Sequence, residues 1–88
     1  MKNKIFTDAA WQDYLYWEKQ DRKTLKRINS LIEDIDRNGY AGIGRPEPLL
    51  GDLSGFFSRR IKIKDRLIYS SDSDNIYIVA CRSHYDDR

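Results

Sequence analysis

Five aliphatic side chains at helical spacing, Leu25, Ile28, Leu31, Ile32 and Ile35, constrain this chain more than any other feature. They form one apolar face of a helix running from about 22 to 38, with Asp21 as its N-cap and Gly39 at the left-handed C-cap position. Lys23, Lys26, Arg27, Glu33, Asp34 and Arg37 cover the other faces. Such a helix must lay its stripe on a second layer. Upstream, Thr7 or Asp8 caps a first helix over roughly 8–20, in which Trp11, Tyr14 and Leu15 fall at i, i+3, i+4 and predict its buried face. Tyr16 and Trp17 lie off that stripe and are expected to pack elsewhere. Ile5-Phe6 reads as the end of a short first strand.

After Gly55 the period changes from helical to alternating. Phe57, Arg59 and Ile61 point one way, and Ser58, Arg60 and Lys62 the other. Leu67 and Tyr69 then alternate with Arg66, Ile68 and Ser70. A hairpin with the three-residue loop 63–65 pairs Ile61 with Leu67 and Lys62 with Arg66. It is preferred to a two-residue loop because the register must keep one face apolar. Arg60, Lys62 and Arg66 then share the outer face. A turn at Asp72-Ser73-Asp74 leads to a last strand over about 75–82.

Between the two halves, 39–55 holds all five glycines and both prolines. It reads as one long loop, and loops of that length in a compact chain tend to be functional. Within it, Pro46-Glu47-Pro48 has two fixed φ angles, so the backbone holds Glu47 at a defined place. The predicted architecture is α+β: two N-terminal helices packed on one face of a mostly antiparallel four-stranded sheet, with the opposite face open.

Eighty-eight residues predict one domain, 1–88, with one modest core. With 40% apolar and 34% charged residues, the composition is that of a globular protein. No apolar run approaches the roughly 18 residues of a membrane span, and the N-terminus does not read as a signal peptide. The single cysteine, Cys81, follows Ile78-Val79-Ala80, which predicts a buried strand thiol and a reducing, cytoplasmic setting. Residues 1–54 carry nine basic and nine acidic side chains, whereas 55–85 carry six basic and three acidic. Positive charge thus gathers in the second half, where a polyanion can dock.

That half contains the parts for metal-free phosphodiester cleavage. Glu47 is a candidate general base that takes the proton of an RNA 2′-OH, and His84, the only histidine, is a candidate general acid for the departing 5′ oxygen. Arg66, supported by Arg60, can hydrogen-bond the phosphoryl oxygens as they gain charge. Arg59, Lys62 and Ser58 join Arg60 as candidate RNA contacts, and Tyr85 can stack on a base. The products are a 2′,3′-cyclic phosphate and a 5′-OH. No cofactor is expected, and no second histidine or cysteine cluster suggests a metal. A basic strand face also suits an RNA-binding module that blocks translation without cutting.

Several blocks of the chain are familiar: Trp11-Gln12-Asp13-Tyr14-Leu15-Tyr16-Trp17, Gly44-Arg45-Pro46-Glu47-Pro48-Leu49, Gly55-Phe56-Phe57-Ser58-Arg59-Arg60-Ile61, Arg66-Leu67-Ile68-Tyr69 and Ala80-Cys81-Arg82-Ser83-His84-Tyr85. In order and spacing they resemble the YoeB toxins, the Txe/YoeB branch of the RelE/ParE superfamily. The resemblance implies a microbial-ribonuclease-like fold and the toxin of a type II toxin–antitoxin system that cuts mRNA in the ribosomal A site (30S subunit, within the 70S particle) and so inhibits translation. It implies a YefM-like antitoxin and frequent homodimers. By position, Glu47 matches the family's base, His84 its acid, Arg66 its phosphate-stabilising arginine with Arg60 in support, and Tyr85 a nucleotide contact. The chain departs from the pattern at Leu50, where a basic residue is expected, and in the Asp86-Asp87-Arg88 extension. The related ParE-like proteins, which act on DNA gyrase without RNA chemistry, are the alternative.

Overall fold

The computed structural model describes residues 1–82. His84, Tyr85 and the 86–88 extension lie outside the described residues. The elements follow in the order β1 (Asn3–Phe6), α1 (Asp8–Gln20), α2 (Arg22–Asn38), β2 (Glu47–Pro48), β3 (Phe57–Arg60), β4 (Arg66–Ser71) and β5 (Asn75–Ala80). Both helices fall where the periodicity predicts. The Thr7 hydroxyl accepts from the Ala10 amide at 3.1 Å, and the Asp21 carboxylate from the Thr24 amide at 3.1 Å, so each helix has its side-chain cap. Gly39 closes α2 with φ 64°, and its amide donates to the Ile35 carbonyl at 2.8 Å.

The strands form one sheet in the order β1-β5-β4-β3-β2, with β1 parallel to β5 and the other pairings antiparallel. The sheet therefore has five strands where the sequence predicts four. The added strand is the Glu47–Pro48 pair, inside what reads as loop. One residue between two prolines, together with the second proline, carries no alternation signal, and an edge is where a strand can hold a Pro with no amide to give.

The core lies between the helices and one sheet face. It comprises Ala10, Trp17, Ile28, Leu31, Ile32, Ile35, Ile61, Leu67, Tyr69, Ile76, Ile78 and Cys81. On α1 the expected stripe is wrong. Ala10, Asp13 and Trp17 are buried, whereas Trp11 is 45% exposed. Trp11 instead stacks on Tyr14 with centroids 5.5 Å apart, and both meet Phe6 edge-on. The burial of Trp17 needs a partner for its indole N–H, which the alternative face lacks in sequence and the fold supplies.

The opposite sheet face is only partly open. Leu49, Ile68 and Ala80 form a second buried cluster with Leu53, Phe56 and Val79 around it. A 3-10 turn over Gly51–Leu53, closed by the Leu49 amide donating to the Phe56 carbonyl, carries these side chains onto the sheet.

Two irregularities decide which side chains reach which face. The β3–β4 ladder stops at Arg60 opposite Arg66, with Arg59 opposite Leu67, two residues from the predicted register. The Ile61 and Lys62 amides both donate to the Asp65 carbonyl, at 3.0 and 3.3 Å, and tighten the tip. A slip of two leaves every side chain on its face. In the β4–β5 ladder Ile68 pairs with Ala80 but Tyr69 with Ile78, so Val79 is a bulge. It changes which positions of β5 face the helices: Ile76 and Ile78 join the core, and Ala80 joins the cluster on the other side.

Candidate active site

Residues directly opposite in an antiparallel ladder share a face. Glu47 lies opposite Ser58, Ser58 opposite Ile68, and Ile68 opposite Ala80. Two residues along, Arg60 lies opposite Arg66. Glu47, Ser58, Arg60 and Arg66 thus occupy the sheet face away from the helices. From strand spacing and rise, the Cα atoms of Glu47 and Arg66 are about 12 Å apart, a distance that two long side chains reaching toward a common group can span.

The backbone that presents Glu47 is held from beneath by Arg59. That guanidinium is 0% exposed and uses all five donors. Nη1 donates to Asp34 Oδ2 at 2.6 Å and to the Ile43 carbonyl at 3.0 Å. Nη2 donates to the carbonyls of Gly39 and Ala41 at 2.8 and 2.6 Å, and Nε to the Tyr69 hydroxyl at 3.0 Å. Asp34 in turn accepts from the Ile43 amide and the Asn38 side chain. The Arg59 hydrogen bond, ahead of those from Ile43 and Asn38, holds the Asp34 carboxyl below its ordinary range despite burial. At Gly42, with φ 118°, any Cβ would run into the Asp34 carboxylate. The 39–45 segment is therefore wound on a buried ion pair, and the Arg60 amide donates to the Gly44 carbonyl at 2.7 Å just before Pro46 and Glu47.

Arg59 is thus a correction to the sequence reading: as a residue of the core-facing parity of β3, it is not available to RNA. Lys62 moves too. The tight tip releases it from the Arg60–Arg66 face, and its Nζ reaches Asp21 Oδ2 at 3.1 Å and lies 5.3 Å from the Trp17 ring centroid. Ser58 keeps its predicted face but is 6% exposed, buried in the row between Glu47 and Ile68.

Arg66 sits at the hairpin mouth, where its Nη1 donates to the carbonyls of Lys62, Ile63 and Asp65 at 3.0, 3.1 and 3.1 Å. Arg60 is exposed. Arg59 forms its ion pair with Asp34. Arg60 and Arg66 are opposite each other in the ladder without a carboxylate within 4.0 Å of either among the described residues, so their like charges add to a positive potential on this face. Leu50, beside this face in sequence, is 87% exposed.

Two residues that sequence reasoning missed are Asp13 and Trp17. Asp13 Oδ2 accepts from the Cys81 amide at 3.0 Å, and the Trp17 indole donates to the Cys81 carbonyl at 2.7 Å. The signal was present: a carboxylate and an indole at i, i+4 on the face that completes the core. Cys81 is buried as predicted. Among the described residues no group of histidine, cysteine and carboxylate side chains could hold a metal, and no helix is long and apolar enough to cross a membrane.

The family model for the YoeB-like toxin of bacterial type II toxin–antitoxin systems matches residues 6–85. Toxin YoeB of Streptomyces coelicolor is 52% identical over 80 residues, covering 91% of this chain and 95% of its own. Toxin YoeB of Escherichia coli is 48% identical over 81 residues, covering 92% and 96%. The YoeB dimer from Staphylococcus aureus superposes with a TM-score of 0.90 at 45% identity, covering 96% of this chain and 98% of that one. YafQ from E. coli, at 13% identity and a TM-score of 0.76, shares the fold. The chain belongs to the YoeB-like toxins of bacterial type II toxin–antitoxin systems.

Proposed function

We propose that this toxin is a metal-free endoribonuclease, an mRNA interferase that cuts ribosome-bound mRNA in the A site and thereby inhibits translation. The observation that carries the reading is that Glu47, Arg60 and Arg66 share one sheet face, with Arg60 and Arg66 opposite each other in the ladder and no carboxylate within 4.0 Å of either among the described residues. A phosphate on that pair lies within reach of Glu47. Glu47 takes the 2′-OH proton, and the 2′ oxygen attacks phosphorus. Arg66 and Arg60 hold the phosphoryl oxygens as charge builds. The bond to the 5′ oxygen breaks, and His84 protonates it. The ends left are a 2′,3′-cyclic phosphate and a 5′-OH. Ser58 lines the face and Tyr85 follows the acid, where a base can stack.

The setting we propose is cytoplasmic, with a YefM-like antitoxin as partner and a homodimer as the free form. YoeB–YefM complexes and a YoeB dimer from S. aureus, each covering nearly all of this chain, support the antitoxin partner and the homodimer.

The test is cleavage of mRNA on programmed ribosomes by wild type, Glu47→Gln and His84→Gln. Each variant is expected to cut at least about 10²-fold more slowly and to keep the wild-type circular dichroism spectrum. Wild-type rates in both variants would remove the acid–base roles. Inhibition of gyrase supercoiling without cleavage would place the chain with the ParE-like proteins instead.

A further inference from the structure

Arg59 and Arg66 lie in adjacent strands, and protein oxygens bind them in different ways. Arg59 spends every donor on the protein. Arg66 spends one nitrogen. Its Nη1 donates to the carbonyls of Lys62, Ile63 and Asp65 at 3.0, 3.1 and 3.1 Å, and no other hydrogen bond holds its guanidinium among the described residues. In a planar guanidinium Nη1 is the nitrogen turned back toward the side chain's own stem. The Nε and Nη2 hydrogens lie along the other edge, as the fork that grips two oxygens of one phosphate. The contacts on Nη1 therefore tie down one edge of Arg66 and leave the fork without a protein partner among the described residues.

The three carbonyls belong to the β3–β4 tip, 61–65. Lys62, Ile63 and Lys64 are exposed, and Arg66 is half-buried. Carbonyls at an exposed tip have water to bond, yet these converge on a single nitrogen. The tip is firm enough to serve as a mount. The Asp65 carbonyl also accepts from the Ile61 and Lys62 amides. Two side-chain contacts moor the tip to the helices. Lys62 Nζ meets Asp21 Oδ2 at 3.1 Å, and Arg27 Nη2 donates to the Arg60 carbonyl at 3.1 Å. An arginine ordered before its ligand arrives is spared the rotamer freedom it would otherwise lose on gripping it.

We propose that the 61–65 tip is a positioning element for phosphate capture. Its carbonyls hold Arg66 by Nη1, so that the Nε–Nη2 edge meets the two non-bridging oxygens of the scissile phosphate, opposite Arg60. The inference rests on the reading in which this face cleaves RNA.

The experiment is single-turnover cleavage on programmed ribosomes. It compares wild type, Glu47→Gln, Arg66→Ala, a chain with one glycine inserted between Ile63 and Lys64, and a control with one glycine inserted between Ser73 and Asp74. The tip insertion spreads the three carbonyls. It is expected to lower the saturating rate by about 10-fold, the worth of ordering one long side chain, and to leave the half-saturating ribosome concentration within about twofold. The control insertion breaks the turn in which Asp72 Oδ1 accepts from the Asp74 and Asn75 amides. It is expected to lower the Tm and leave the rate unchanged. Arg66→Ala empties the mount. Ethylguanidinium in solution is expected to raise its rate about 10-fold by docking on the same carbonyls. Ethylammonium, with the same charge and no fork, is expected to raise it far less, and the tip insertion placed in Arg66→Ala to abolish the rescue. A wild-type rate in the tip insertion overturns the proposal, as does an equal rate loss in the control. So does the absence of rescue, an equal rescue by ethylammonium, or a rescue that survives the tip insertion. If the tip insertion fails to fold by circular dichroism, the two cations on Arg66→Ala decide alone. Failure of the nuclease reading is seen separately, as mRNA left uncut by the wild-type toxin or cut at the wild-type rate by Glu47→Gln.

Discussion

Arg59 and Arg60 are neighbours in one strand, yet one is the largest fully buried side chain of the described residues and the other stands in solvent. Arg59 spends every donor on protein oxygens, four of them within the 34–43 stretch. Arg60 faces Arg66 across the ladder, and neither forms an ion pair among the described residues. The difference teaches that a basic run in a strand is two populations. The half that faces the helices can only be structural, because a buried guanidinium must be fully bonded. The half that faces away meets no such requirement, because water can satisfy it.

The comparison breaks most visibly at Arg59. Arg59→Met leaves Asp34 buried without its cation and frees the carbonyls of Gly39, Ala41 and Ile43. A loss of about 3–5 kcal/mol is expected by urea unfolding, and Asp34→Asn in the same chain should return part of it. If Arg59→Met unfolds at the wild-type midpoint, the clamp is not a structural tie. The paired expectation is for Arg60→Ala. It should change stability by no more than about 0.5 kcal/mol while weakening RNA capture, read as a flatter dependence of binding on salt. A stability loss in Arg60→Ala as large as that of Arg59→Met would erase the distinction between the two faces.

The smallest expected effect lies at Asp21, the N-cap of α2. The Asp21 carboxyl is lowered to about 2, chiefly by the Thr24 hydroxyl and amide and then by Lys62. Its folded value lies below its unfolded one, so its contribution is present above the ordinary carboxylate range near 4 and fades as pH falls toward 2. Asp34, also lowered, acts in the same direction. Acid unfolding of Asp21→Ala should therefore show a shallower loss of stability over that window than wild type. An unchanged acid limb would mean that the cap contributes nothing through its charge.

Much of the architecture was legible because it depends on local periodicity. The stripe from Leu25 to Ile35, its caps and the alternation of β3 and β4 each follow from which side chains must leave water. The face shared by Glu47, Arg60 and Arg66 was half legible: alternation predicts Arg60 and Arg66 together, and the two-residue slip of register did not disturb it. The assignment of Arg59 to RNA failed because charge outweighed parity, although the same alternation groups it with Phe57 and Ile61. Trp17 was missed because Trp11 and Tyr14 offered an equally apolar stripe, and the choice between them depended on a carbonyl 64 residues away.

By itself, then, the amino-acid order determined the helices, the strand faces, the family and the set of groups able to do chemistry, since these depend on neighbours a few positions apart. The fold alone decided that Glu47–Pro48 joins the sheet as its edge, that Arg59 is consumed in holding the loop behind it, and that α1 fastens the end of β5. Those outcomes rest on pairings between distant segments, where a carbonyl or carboxylate must be found for each buried donor.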